Sequence, residues 1–111
     1  MIKIKIGKKE IKADVADNFW KRFIGLSFSK KKNLLFVMPY EDKWAFWMFL
    51  VRYPIKIIFI DKNKRVVDVK FAEPITLNPK TWKIYSPKKK CKYVLETPFN
   101  LKVKIGEKLY W

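Results

Sequence analysis

The 111-residue sequence contains no histidine and a single cysteine, and these gaps exclude several kinds of active site. Without histidine, the chain has no Ser–His or Cys–His nucleophile pair and no histidine-ligated zinc. With Cys91 as its one thiol, it has no cysteine-cluster metal site and no internal disulfide, so nothing requires an oxidising compartment. We therefore predict that the protein holds no metal and needs no cofactor.

Glycine and acidic residues are also scarce. The three glycines, Gly7, Gly25 and Gly106, are isolated from one another, so the sequence has no glycine-rich phosphate loop. No spacing among the 10 acidic residues singles out a pair for general acid–base catalysis. We predict no catalytic residue, and enzymatic activity is less favoured than a binding role.

The surroundings of Cys91 leave two interpretations of this thiol. It follows Lys88–Lys90 and precedes Lys92, and neighbouring cations favour the thiolate by lowering the pKa. The simpler interpretation, which we favour, is an incidental thiol without a role.

Long uninterrupted apolar runs are missing as well. The longest candidate runs from Trp44 to Ile60, but Arg52, Pro54 and Lys56 interrupt it. A membrane-spanning helix needs about 20 consecutive apolar residues. The first six residues alternate between apolar and basic and lack the apolar core of a signal peptide. We therefore expect a soluble cytoplasmic protein without a transmembrane segment.

Positive charge, in contrast, is abundant. The formal net charge is +16, from 26 basic and 10 acidic residues, and only three of the basic residues are arginines. Such a charge favours polyanions or anionic membrane surfaces as partners. Lysine enrichment is also part of the composition of hyperthermophilic proteins, so a thermophilic source is the competing explanation.

Two lysine runs in predicted loops are the candidate polyanion-binding residues. Because lysine lacks the bidentate fork of arginine, we expect any RNA or DNA binding to be weak, nonspecific in sequence and steeply salt-dependent. A solvated lysine surface is the simpler interpretation. The six candidates are Lys30, Lys31, Lys32, Lys88, Lys89 and Lys90.

Short apolar and alternating segments predict a mainly β fold. Asp17 or Asn18 can cap one short helix near residues 17–25, which Gly25 would end. Many short strands at regular spacing are typical of a small β-sandwich or a barrel-like fold, with one domain over residues 1–111. The predicted strands are a hairpin at 2–15, then 34–38, 44–50, 55–60, 66–71, 93–96, 101–105 and 108–111, with a brief pairing at 82–85.

Five sequence blocks occur in an order that resembles a known family. They are RFIGL at 22–26, LFV at 35–37, FWM at 46–48 with PIKIIFID at 54–61, YVLE at 93–96 and KIGE at 104–107. Together they resemble the domain of unknown function 192 family, also called uncharacterised protein family 0127. The resemblance implies a small β-rich fold with a short helix near its start, and it implies no established activity.

The sequence departs from the family pattern beside its strongest block. Members usually carry Lys-Asn-Thr after the tryptophan-methionine pair, where this chain has Phe49, Leu50 and Val51. The family's usual aspartate is replaced by Lys56. The loss of these polar groups implies a different ligand or a lost function.

Glu96 is the carboxylate that the sequence singles out, because it lies in an apolar strand. A carboxylate in such surroundings either pairs with a cation or has a raised pKa. Arg22 is the candidate partner, since a guanidinium binds a carboxylate through two parallel hydrogen bonds. The pair is either a structural buried ion pair or the lining of a pocket. We predict a candidate ligand-binding pocket of Arg22, Trp47 and Glu96, although core packing is the simpler interpretation of Trp47.

These observations predict a small non-enzymatic binding or interaction module whose partner is an unidentified ligand or protein. The alternative is a sequence-nonspecific RNA- or DNA-binding protein that uses its lysine-rich surface.

Overall fold

A computed structural model of the protein describes residues 1–18, 31–48 and 53–111. Within these ranges the chain is mainly β, which confirms the predicted fold class. A short 3-10 helix spans Pro79–Thr81, and no helix in these ranges is long and apolar enough to cross a membrane. The nine strands are β1 (Ile2–Ile6), β2 (Lys9–Ala16), β3 (Leu34–Asp42), β4 (Phe46–Trp47), β5 (Ile55–Ile60), β6 (Val66–Ala72), β7 (Ile84–Tyr85), β8 (Cys91–Thr97) and β9 (Leu109–Tyr110).

Seven of these strands form one sheet that curls into a half-barrel. The strand order is β6-β5-β8-β3-β2-β1-β9, and all neighbours are antiparallel except β2 and β3, which run parallel. Strand β8 therefore lies between β5 and β3, far from either edge. Strands β4 and β7 form a separate two-stranded sheet.

Both faces of the sheet are covered by apolar side chains, and β5 shows this most clearly. Ile57 and Phe59 point to one face, which we call the first face, and Ile58 and Ile60 point to the second face. A strand that is buried on both sides is continuously apolar instead of alternating. Leu34, Phe36, Met48, Tyr53 and Val94 also belong to the first face.

The predicted hairpin at 2–15 is confirmed by β1 and β2. Ile4 and Ile6 are buried, while the lysines between and beside them are exposed. Gly7 forms the turn with a φ of +60°, a left-handed conformation that glycine adopts without steric cost.

The predicted strand at 44–50 is wrong in length and in place. Of the described residues 44–48, only Phe46–Trp47 form a strand, and they pair with β7 instead of occupying the centre of the main sheet. The reason lies in packing: the Phe46 ring packs edge-on against Phe36, with centroids 5.1 Å apart, across the first face. Residues 49–50 lie outside the described part of the chain.

Two further strand boundaries differ from the prediction. Strand β3 does not end at Met38 but continues through Pro39 to Asp42. Its register with β8 shifts between Val37 and Asp42, an irregularity of the kind that lets a proline sit in a strand. Of the predicted helix near 17–25, only Asp17 and Asn18 lie in the described ranges, so the helix stays a prediction.

The alternating segment 101–105 forms no strand. The N–H of Gly106 donates to the carbonyl of Val66 at 2.7 Å, and the N–H of Lys104 donates to Oε1 of Glu107 at 3.1 Å. These bonds hold the segment across the end of β6 and take the place of a ladder. Alternation of apolar and basic residues was therefore a misleading strand signal in this segment.

Candidate functional site

Glu96 lies at the centre of the sheet and on its first face. On β8 it is paired with Leu34 of β3 on one side and with Ile57 of β5 on the other. Both neighbours belong to the apolar first face, and Glu96 itself is only 5% exposed. The alternation of β8 brings this carboxyl onto the same face as Val94.

Burial raises the pKa of Glu96 to about 8, because the charged carboxylate is disfavoured away from water. None of the described residues donates a side-chain or backbone hydrogen bond to this carboxyl. Of the two outcomes that the sequence allowed, a paired carboxylate or a raised pKa, the described residues give the raised pKa. At neutral pH the group is therefore mainly the uncharged acid.

Tyr53 is a second ionisable group on this face. Its side chain is 8% exposed and belongs to the same apolar cluster as Leu34 and Ile57. Burial raises the pKa of Tyr53, and the charge of Glu96 raises it further. The charged form of Glu96 thus favours the neutral phenol of Tyr53.

Two lysines border this part of the first face. Nζ of Lys31 lies 5.9 Å from the centre of the Tyr53 ring, within the range of a cation–π contact. Nζ of Lys32 lies 3.0 Å from Oδ2 of Asp14. Asp14 of β2 is paired with Leu34 of β3, and Leu34 is paired with Glu96 of β8. Asp14 therefore lies two strands away from Glu96 in the sheet. Two of the candidate polyanion-binding lysines therefore border the surroundings of Glu96.

Of the three residues of the predicted pocket, Glu96 is the one whose backbone and side chain are both described by the structure. Trp47 lies in β4, but its side chain is outside what the structure describes, and Arg22 and Lys30 lie in residues 19–30, which are also outside. The grouping of Arg22, Trp47 and Glu96 stays a prediction.

Lys56, which stands where the resemblance implies an aspartate, belongs to the second face. It is paired with Thr97, and its Nζ donates to the carbonyl of Leu101 at 2.6 Å. The same ammonium lies 5.0 Å from the centre of the Phe71 ring. Because Lys56 and Ile57 alternate along β5, this lysine is not a partner of the Glu96 carboxyl.

The second lysine run is exposed but its backbone is anchored. Lys88, Lys89 and Lys90 all face solvent. The N–H of Lys88 donates to Oδ2 of Asp68 at 3.0 Å. Asp68 is 2% exposed and also accepts the N–H of Val69 at 2.9 Å, so this carboxylate holds the run against β6.

The sequence interpretation missed Tyr53 and Asp68. The rule that singled out Glu96, an acid within an apolar strand, applies equally to Asp68 in VVDVKF, so that signal was available. Tyr53 carries no such signal, because tyrosine is common in apolar segments.

Cys91 is buried at 0% exposure, and its Sγ donates to the carbonyl of Asp42 at 3.5 Å. Burial raises the pKa of this thiol to about 11, against the weaker effect of a backbone hydrogen bond from Trp44. The lowered pKa that the neighbouring lysines suggested is wrong, because Sγ points into the core while Lys88–Lys90 face solvent and Nζ of Lys92 donates to the carbonyl of Met38.

We expect Cys91 to be inert toward thiol reagents in the folded protein. With a pKa of about 11, roughly one thiol in ten thousand is ionised at pH 7, and the sulfur has no contact with solvent. Labelling with Ellman's reagent should be absent in buffer and complete in about 6 M guanidinium chloride, a concentration that unfolds most domains. Labelling at similar rates in both would contradict the burial.

Sequence comparison identifies the family. The profile of domain of unknown function 192, described as an uncharacterised ACR, matches residues 2–111. The chain belongs to this family. Its relatives include a member of uncharacterised protein family 0127 from Pyrococcus abyssi, 40% identical over 111 residues that cover 94% of this chain and 89% of the relative. Another, from Pyrococcus furiosus, is 38% identical over 112 residues, which cover 93% and 90%.

Solved structures agree with the fold of this member of the domain of unknown function 192 family. A Novosphingobium aromaticivorans protein of unknown function superposes with a TM-score of 0.83 at 20% identity, over 99% of this chain and 84% of that one. A candidate transcription regulator from Sinorhizobium meliloti gives a TM-score of 0.80 at 17% identity, over 97% and 89%. At these identities the likeness concerns the fold alone.

Membership confirms the resemblance found from the sequence blocks, and with it the expectation of a family without an established activity. The thermophilic sources of the relatives fit the lysine-rich composition. Glu96 and Lys56 belong to opposite faces of the sheet.

Proposed function

We propose that the chain is a small non-enzymatic binding module whose ligand site is built around Glu96. It comprises residues 1–111 as one domain and works in the cytoplasm. The observation that carries the proposal is the buried acid at the centre of an apolar face, with a pKa of about 8 and no hydrogen-bond donor among the described residues. Perturbed groups of this kind cluster at binding sites.

The chemistry of the site favours a ligand with an apolar body and one basic group. The surroundings of Glu96, including Tyr53, are apolar, so they suit a hydrocarbon or aromatic body. A basic group that reached Glu96 would take up its proton or pair with its carboxylate, and pairing lowers the cost of burying the charge. Trp47 stays the predicted wall of the site. Arg22 stays a predicted residue of the same site.

Native mass spectrometry of the protein purified from its own cells tests this proposal. We expect a copurified small molecule in the wild type and its loss in Glu96→Gln, which keeps the size of the side chain but cannot carry the charge. The matched control is Glu73→Gln, the same change at an exposed position, which should keep the molecule. An unchanged complex in Glu96→Gln, or no bound molecule in the wild type, would contradict the proposal.

Weak nucleic-acid binding stays a prediction from the charge alone. Lys88, Lys89 and Lys90 are free of ion pairs within the described residues, whereas Lys32 is engaged with Asp14. A salt titration with a random oligonucleotide, starting at about 50 mM salt where electrostatic binding is strong, decides the matter.

A further inference from the structure

The segment between β6 and β8 carries an apolar tip that neither core face uses. Leu77 is 97% exposed, Trp82 is 59% exposed and Ile84 is 73% exposed. At both ends the segment is anchored, because Ile75 and Tyr85 pack against the first-face core. The three exposed side chains, which we call the tip, are therefore held outward by a fixed base.

Most of the polar groups in the loop that carries the tip form hydrogen bonds within the loop itself. The N–H of Thr76 donates to Oγ1 of Thr81 at 2.8 Å, and the N–H of Lys80 donates to Oδ1 of Asn78 at 3.0 Å. Backbone bonds from Thr81, Trp82 and Lys83 to carbonyls of the same loop, and one from Asn78 to Oγ1 of Thr76, complete the set.

The indole N–H of Trp82 also donates to an acceptor within the loop. Its Nε1 donates to the carbonyl of Thr76 at 2.7 Å, so the ring needs no acceptor from outside. An unpaired hydrogen-bond donor is costly in an apolar medium. Because the donors of this loop are paired within the loop, its transfer from water carries little of that cost.

Exposed lysines flank the tip along the sequence. Residues 73–90 contain five lysines and one acid, Glu73. Lys80 and Lys83 flank the tip directly and are exposed, and the exposed run Lys88–Lys90 closes the segment. The segment thus combines exposed aliphatic and indole side chains with exposed lysines.

We propose that this tip inserts into the interfacial layer of an anionic lipid bilayer, with the lysines on the lipid phosphates. Tryptophan and leucine beside lysine is the combination found in segments that lie in a membrane interface. Nucleic acid fits less well: Leu77 and Ile84 have no ring to stack on a base, and residues 73–90 hold no arginine. The proposal is independent of Glu96, which lies in the sheet interior.

Vesicle sedimentation tests this assignment with the full chain. At about 50 mM salt, we expect binding to vesicles of phosphatidylcholine with phosphatidylglycerol and none to phosphatidylcholine alone. Leu77→Ser should weaken binding by about tenfold or more, the scale set by burying one leucine side chain. Since Leu77 is almost fully exposed, this variant should melt like the wild type.

Matched controls separate insertion of the tip from nonspecific hydrophobic adsorption and from nonspecific electrostatic attraction. Ile105→Ser changes another exposed aliphatic side chain, 59% exposed, and should bind like the wild type. The double variant Lys80→Gln/Lys83→Gln should bind more weakly than Lys5→Gln/Lys12→Gln, which removes the same charge from the exposed β1–β2 hairpin.

Four results would overturn the proposal. They are no binding to the anionic vesicles, no effect of Leu77→Ser, an equal loss in Ile105→Ser, or a loss of binding to a random single-stranded oligonucleotide in Leu77→Ser while its vesicle binding is unchanged. The last result would assign the tip to nucleic acid.

Discussion

Glu96→Gln is expected to remove most of the pH dependence that the wild-type protein shows between about pH 5 and pH 8. In the folded state the pKa of Glu96 is about 8, whereas the ordinary value is 4.5. Between these values the folded protein holds a proton that the unfolded chain releases. The neutral acid's contribution is therefore fully present below pH 4.5 and is lost as the pH rises through 8.

The size of this effect follows from the shift. Each pKa unit corresponds to about 1.4 kcal/mol, so the free energy of unfolding of the wild type should fall by on the order of 4 kcal/mol relative to Glu96→Gln across this window. Glutamine has nearly the same volume and stays neutral, so the variant should equal or fall below the wild type at pH 5 and exceed it at pH 9.

Urea denaturation at pH 5, 7 and 9 measures this difference. The control Glu73→Gln alters an exposed carboxyl and should follow the wild-type profile. Cys91 titrates in both proteins and cancels in the comparison, and Tyr53, whose pKa is raised from its ordinary 10.0, ionises above this range. A wild type that gains stability with pH relative to Glu96→Gln would instead show a carboxylate paired with a cation, as predicted for Arg22.

Asp68→Ala should be the most destabilising exchange of a carboxylate outside the site. Asp68 is 2% exposed, accepts the backbone N–H groups of Val69 and Lys88, and lies 3.5 Å from Nζ of Lys70. Removing it leaves two backbone donors without their acceptor and empties space against β6. Hydrogen bonds to a charged group contribute about 1.5–3 kcal/mol each, so the loss of two is expected to cost about 3–6 kcal/mol.

Two measurements check this expectation. Urea denaturation should show the loss of stability, while Glu73→Ala, an exposed carboxylate of the adjoining segment, should change it by less than about 0.5 kcal/mol. Limited digestion with trypsin should cut faster at Lys88–Lys90 in Asp68→Ala, because the backbone of that run loses its anchor. Equal melting and equal cleavage in both variants would show that Asp68 does not hold the run.

The elements that the sequence predicted well are those whose pattern is local. The hairpin at 2–15 follows from period-two alternation and a glycine turn, and Ile55–Ile60 follows from an isoleucine-rich apolar run. The errors came where the deciding contact is distant: Phe46 packs across the first face, and the segment 101–105 bonds to β6. No local pattern encodes either contact.

The same distinction applies to the candidate site. Glu96 was found because a carboxyl in an apolar strand is visible in the sequence. Its nearness to Tyr53, Lys31 and Lys32 depends on the positions of β3 and β5 on either side of β8. Those positions are set by long-range strand pairing.

Strand β8 also determines when the acid becomes buried during folding. Leu34 and Glu96 are paired although 62 positions separate them, and β5 reaches β8 across a similarly remote connection. Folds dominated by such distant contacts form slowly, in milliseconds to seconds, because large loops must close first. The unfolded chain carries Glu96 ionised at neutral pH, and the carboxyl loses its water only when β3 and β5 both reach β8. At neutral pH, uptake of one proton therefore accompanies the closure of the sheet around this carboxyl.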